Sequence, residues 1–184
     1  MIYASLKPIY QWRNRWTVPN YLALGLMSGL LLLDFIVRFW AWPIRVPILS
    51  LLAIAAAWAL KEAYWRLIDT TSAPSTVASA TALGSRGRVR LLESPHTQDN
   101  YLLREMGFRI ARKHRVRLRA VARLAAFALP ALLTVVALFA PGPTGIVASA
   151  LAIGSAALGL VVERWLFFAE AKHTVTLYYG ADAA

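Results

Sequence analysis

Four side chains stand where an ionisable group in an apolar setting has chemistry to do: Asp34, Arg38, Glu163 and His173. Asp34 and Arg38 lie four apart in a leucine-rich run, so a helix brings both to one face. A charge at the centre of a bilayer costs about 2.5–3.5 kcal/mol on insertion scales. Such a pair is therefore either a proton or quinone-headgroup site, or a self-shielding structural pair whose arginine reaches for the nearby interface. Glu163 ends a run that is apolar from Thr144 to Val162, and Arg164, Glu170, Lys172 and His173 follow it. At 3.6 residues per turn, Glu163, Glu170 and His173 approach one face. A carboxylate with an imidazole relays protons near neutral pH. Glu170 and Lys172 read as a helix end entering water. Glu163 is the better proton acceptor, since Asp34 is neutralised by Arg38. We read all four as candidates for quinol binding or proton relay, with no catalytic residue and no metal ligand among them.

Other chemistries are excluded by residue type. The chain has no cysteine, which removes thiolate-held iron–sulfur clusters, zinc ribbons, disulfides and a cysteine nucleophile. Haem held by two axial histidines needs them inside helices, whereas His96, His114 and His173 all fall outside apolar runs. No haem is expected. Gly84-Ser85-Arg86-Gly87 is too short for a phosphate loop and reads as a turn.

The elements that must position these residues follow from composition. Apolar residues make up 59% of the 184 and charged residues only 16%, against about 45–50% apolar in soluble domains. The mean hydropathy is +0.53. We expect an all-α integral membrane bundle of four transmembrane helices, forming one domain over residues 1–184. The spans fall at about 21–42, 46–64, 121–140 and 144–166, each about the 20 residues that a bilayer requires. Trp16 and Tyr21, with Trp40 and Trp42, mark the two interfaces of the first, and Pro19-Asn20 reads as its cap. Pro43 and Pro47 bracket one short turn, and Pro141-Gly142-Pro143 makes the other. Pro130 falls within the third span. Gly25 and Gly29 form a small-residue packing motif in the first span, as do Ser149, Ala152, Ala156 and Gly159 in the fourth. Residues 67–120 form a basic loop. In it, Tyr101 to Arg119 reads as an interfacial amphipathic helix, with Leu103, Met106 and Ile110 as its apolar stripe. Residues 1–8 do not read as a signal peptide, and residues 1–6 read like the tail of an apolar helix, cut open.

The net charge is +11. In a membrane chain this reflects lysine and arginine on the cytoplasmic side rather than nucleic-acid binding. Eighteen of the 20 basic residues precede the first span, lie between Lys61 and Arg123, or follow the fourth span's core. All of these belong to one side of the bilayer. The positive-inside rule predicts a multi-pass inner-membrane protein with both termini and the basic loop in the cytoplasm.

Tyr3–Pro8, Ser72–Thr76, Val89–Thr97, Asn100–Arg109 and Phe167–Val175 together resemble the membrane anchor subunit of dimethyl sulfoxide (DMSO) reductase-type molybdoenzymes. The resemblance runs through nearly the whole chain in texture and order. It implies a non-catalytic subunit that holds a molybdopterin catalytic subunit and an iron–sulfur subunit at the membrane. Anchors of this family take electrons from menaquinol and pass them to the iron–sulfur subunit in anaerobic respiration, without haem. They have eight helices and about twice this length, and this chain resembles the second half. Their earlier quinol-site residues have no counterpart here. Read without the resemblance, the charged residues within the spans also suit a small transporter or channel.

Overall fold

In the computed structural model, residues 2–42, 46–71, 75–90, 92–93 and 108–179 are described. Four long helices, Thr17–Phe39, Pro47–Thr70, Arg115–Phe139 and Pro143–Ala169, are each long and apolar enough to cross a membrane. They run up and down, each packed on its neighbours in sequence, and the fourth closes the ring against the first. Among the described residues there is no strand, and an isolated β-bridge pairs Ile9 with His173.

The spans differ from the sequence expectation chiefly at the end where the termini emerge. The first begins at Thr17 rather than Tyr21. Pro19 is harmless there because first-turn amides have no helical partner. Asn20 is not a cap but a buried clamp, donating through Nδ2 to the Trp16 carbonyl (2.8 Å) and across to Leu60 (3.1 Å). The second span runs on to Thr70, because Lys61, Tyr64 and Trp65 are buried against other spans rather than released to water. The fourth continues to Ala169.

The third span starts at Arg115, and residues 123–128 form a π-helical turn. The cause stands just beyond it. Pro130 has no amide to donate and its ring crowds the carbonyl four residues back, so the turn before it widens. Ser155 of the fourth span donates its hydroxyl to the Ala125 carbonyl in this wide turn (2.8 Å). Gly159 sits against the same turn. A Cβ there would fall on the Ala126 amide nitrogen and within 2.6 Å of the Ala125 carbonyl carbon.

Ser149, Ala152, Ala156 and Gly159 are buried, as small packing residues should be. Gly25 and Gly29 are not: a Cβ at either meets nothing within 4 Å. Close packing of the first span uses Leu24, Met27 and Leu31 instead, with Ile54, Ala57, Phe127 and Ala152.

Of the expected amphipathic helix, residues 101–107, with Leu103 and Met106, lie outside the described residues. Arg109–Lys113 is a short helix separated at His114 from the third span, which absorbs the rest. Ile110 is exposed and Ala111 faces inward. The basic segment is anchored by Arg112, which donates to the carbonyls of Ala169 (2.7 Å) and Ala171 (2.8 Å) where the fourth span ends. Residues 84–87 form the expected turn, a 3₁₀ turn followed by Gly87 at φ 137°.

Candidate functional site: a charge network at one end of the bundle

The second span's buried stripe, Ser50, Ala53, Ile54 and Ala57, continues at helical spacing into Lys61, Tyr64 and Trp65. Lys61 therefore points inward although it is charged. Opposite it, the fourth span's small-residue stripe continues through Gly159 to Glu163. These two spans lie diagonally across the ring, and the Lys61 ammonium meets the Glu163 carboxylate through its centre. Both side chains are essentially inaccessible to solvent, at 1% and 0% exposure. Arg164 takes the same carboxylate with two nitrogens, Nε on Oε2 (2.5 Å) and Nη2 on Oε1 (2.7 Å). One carboxylate thus faces two cations.

Two further clusters ring this centre. Arg123 binds Glu62 through both nitrogens (2.6 and 3.0 Å). Arg119 bridges Asp69 (2.5 and 3.1 Å) and Glu170 (2.8 Å), tying the second and third spans to the end of the fourth. The Trp65 ring lies among Lys61, Arg119 and Arg123, at 4.9–5.3 Å. Four cations and four carboxylates are interleaved, and the exposed Arg115 stands 3.8 Å from Asp69 at the edge of the network. Removing charge from water costs several kcal/mol per ion, and that cost is met only where partners and hydrogen bonds are complete.

An aromatic plug caps the network. Tyr3, Trp12, Tyr21, Phe167 and Phe168 pack with ring centroids 5.1–5.9 Å apart. The segment before the first span is pinned over the bundle: Trp12 donates its indole N–H to the Phe167 carbonyl (2.9 Å), and the Tyr64 hydroxyl donates to that of Gln11 (3.0 Å).

The four sequence candidates fall in three places. Asp34 and Arg38 pair as spaced, Nε to Oδ2 at 3.0 Å, with Asp34 buried. Arg38 lies over Gly145 at the opposite end of the bundle. From Tyr21, beside Arg164, to Asp34 is about 20 Å at 1.5 Å per residue, and an apolar core fills the interval. Glu163 is in the network. His173 is not near it, because the helix stops at Ala169 and the chain turns. His173 Nδ1 accepts the Val175 amide (3.0 Å). The ring lines a cavity of about 150 Å³ with Trp12, Phe108, Arg112 and Phe168. Glu170, expected to face water, is buried against Arg119. Lys172 is exposed as expected.

Sequence reading passed over Lys61, Glu62, Asp69, Arg119 and Arg123. Their signal was present as spacing. Arg115, Arg119 and Arg123 recur every fourth residue, and Glu62 and Asp69 lie seven apart, which gives two ladders of opposite sign.

The whole chain is similar to one of the subunits of the sulfite dehydrogenase from Allochromatium vinosum, with 29% identity over 192 aligned positions. The chain spans about half the length of that relative (56%). No family model and no solved structure matches it.

Proposed function

We propose that this chain is a membrane-embedded anchor within a multi-subunit oxidoreductase. It would belong to a DMSO reductase-type molybdoenzyme and exchange electrons between menaquinol and an iron–sulfur subunit that serves a molybdopterin subunit. The observation that carries this is the similarity, along the entire chain, to a subunit of sulfite dehydrogenase. The fold supports an anchoring role. The ion-paired network, the aromatic plug and the basic loop occupy one end of the bundle, a stiff platform for a water-soluble partner. The described part of that loop lies over the C-terminal segment and encloses a cavity of about 560 Å³, lined by Arg88, Arg90, Leu177 and Tyr178 among others.

The resemblance and the relative point to opposite directions of flow. A reductase anchor takes two electrons and two protons from menaquinol; a sulfite dehydrogenase takes two electrons from sulfite. The same anchor parts serve both. Among the described residues, the His173 cavity suits a quinone ring best, with aromatic walls and the polar side chains of Arg112, His173 and Thr176. Its 150 Å³ falls below the about 300 Å³ of an ordinary ligand pocket, so it fits such a ring only in part. Glu163 is a poor quinol base, since cations occupy both its oxygens. The ion-conduction reading is disfavoured, because an apolar core separates the two charged layers.

The test is purification from the membranes of the cell that makes the chain. Iron, acid-labile sulfide and molybdenum should co-purify in fixed ratio, and their absence from the isolated complex would end this reading. Adding a menaquinol analogue to the oxidised complex, or sulfite, and following the iron–sulfur signal then decides the direction. Ion flux from the lone chain in liposomes would favour transport instead.

A further inference from the structure

Five cations at the network end, Lys61, Arg115, Arg119, Arg123 and Arg164, pair with carboxylates, and three that do not share one cavity. Lys7, Arg13 and Lys172 line a space of about 300 Å³ together with Pro8, Tyr10, Ser75 and Thr174. Among the described residues no acidic side chain lines it, and none of the three cations makes an ion pair. Backbone bonds hold the cavity's two walls together. Thr174 donates its amide to the Pro8 carbonyl (3.0 Å), Lys172 donates its amide to Gln11 Oε1 (3.1 Å), and Ile9 pairs with His173. These three charges are therefore gathered by the fold, not scattered on tails.

The depth of the cavity decides what fills it. Arg13 precedes the first span by four residues, and Lys172 follows the fourth by three. Trp12 and Trp16, of the type that settles at the headgroup level, flank Arg13. A concave cationic site with three neighbouring hydroxyl groups, at the headgroup level of a bilayer, suits a phosphate. We propose that Lys7, Arg13 and Lys172 bind the phosphate of an anionic phospholipid. The bound lipid ties together the segments that lead into the first span and out of the last, and so braces the aromatic plug above the charge network.

The test uses the purified chain in neutral detergent micelles doped with brominated lipid. Bromine quenches nearby tryptophan, and Trp12 and Trp16 lie beside the site. Dibrominated phosphatidylglycerol should quench at several-fold lower mole fraction than dibrominated phosphatidylcholine. Lys7→Gln/Arg13→Gln/Lys172→Gln should abolish that preference with the circular-dichroism helix signal retained. Lys7→Arg/Lys172→Arg should keep it, which guards against a fold effect. Arg86→Gln/Arg88→Gln/Arg90→Gln removes the same charge from the loop and should also keep it. Equal loss in the loop variant would mean diffuse attraction and would overturn the proposal. So would displacement of the lipid by millimolar inorganic phosphate, which marks a free-anion site. No preference in the lone chain, with position 172 crosslinking only to a partner protein, would make the patch a protein contact and equally sink the idea.

Discussion

The two ends of this bundle handle buried charge in different ways. At the end with the short turns there is, among the described residues, one ion pair, Asp34 with Arg38, made within a single helix and with Arg38 about one-fifth exposed. At the other end eight charged side chains from three spans and the C-terminal segment interlock, and Lys61 and Glu163 have no access to solvent. The first is a local device that shields a charge. The second joins neighbouring spans and, through Lys61 and Glu163, reaches across the ring from the second span to the fourth, and it is where the basic loop and both terminal segments converge. A bilayer offers no hydrophobic drive between apolar helices, so association rests on packing and polar contacts. Polar glue sits at one end and close packing at the middle, at Gly159.

The contrast is open to several breaks. The largest effect is all-or-none. If the network end faces the cytoplasm, a cysteine at Ser79 should resist an impermeant thiol reagent on intact cells while one at Thr144 reacts. The reverse pattern would turn the molecule over.

Next in size is Lys61→Met, which leaves Glu163 short of a buried partner. Breaking a buried pair costs about 3–5 kcal/mol, and Lys61→Met/Glu163→Leu should recover at least half of it. Denaturant titration of the helical signal in micelles measures both. A double variant no better than the single would show that the two residues are not a coupled unit. Gly159→Val should follow, at about 1–3 kcal/mol for overpacking, since its Cβ would collide with third-span backbone. An unchanged unfolding midpoint would refute that close approach.

At the turn end, Arg38→Met should cost about 1–2 kcal/mol, between the exposed and buried limits for ion pairs. A loss as large as that of Lys61→Met would erase the difference between the ends. Smallest of all, Gly25→Ala and Gly29→Ala should leave stability unchanged or raise it by about 0.5–1 kcal/mol, the ordinary helix preference for alanine. A clear loss in the complete complex, absent from the lone chain, would place a helix of another segment or subunit on that face.

How much was legible can be followed residue by residue. Four apolar runs of spanning length fixed the helix count, and Asp34–Arg38 was readable because its geometry is one turn of one helix. Lys61 was not. A lysine near a span's end is ordinarily taken to reach for water, and nothing within its own helix says that a carboxylate from the fourth span waits across the bundle. Glu170 failed in the same way, since its partner Arg119 lies 51 residues earlier. His173 was placed on a face shared with Glu163 by extending helical periodicity past Ala169, where the helix has already ended.

By itself, then, the sequence determined what depends on local periodicity: four membrane-length apolar helices, the concentration of positive charge on one side, and the i,i+4 pair. Only the tertiary structure decided which charges are partners, which small residues are contacts, and which basic residues remain without a carboxylate. The reason is physical. Burial in a bilayer is settled by length and hydropathy within one segment, whereas a charge pair needs two side chains from different helices at hydrogen-bonding distance. That distance is set by the bundle's packing, including the π turn before Pro130 and the close seat of Gly159, and no single segment carries it.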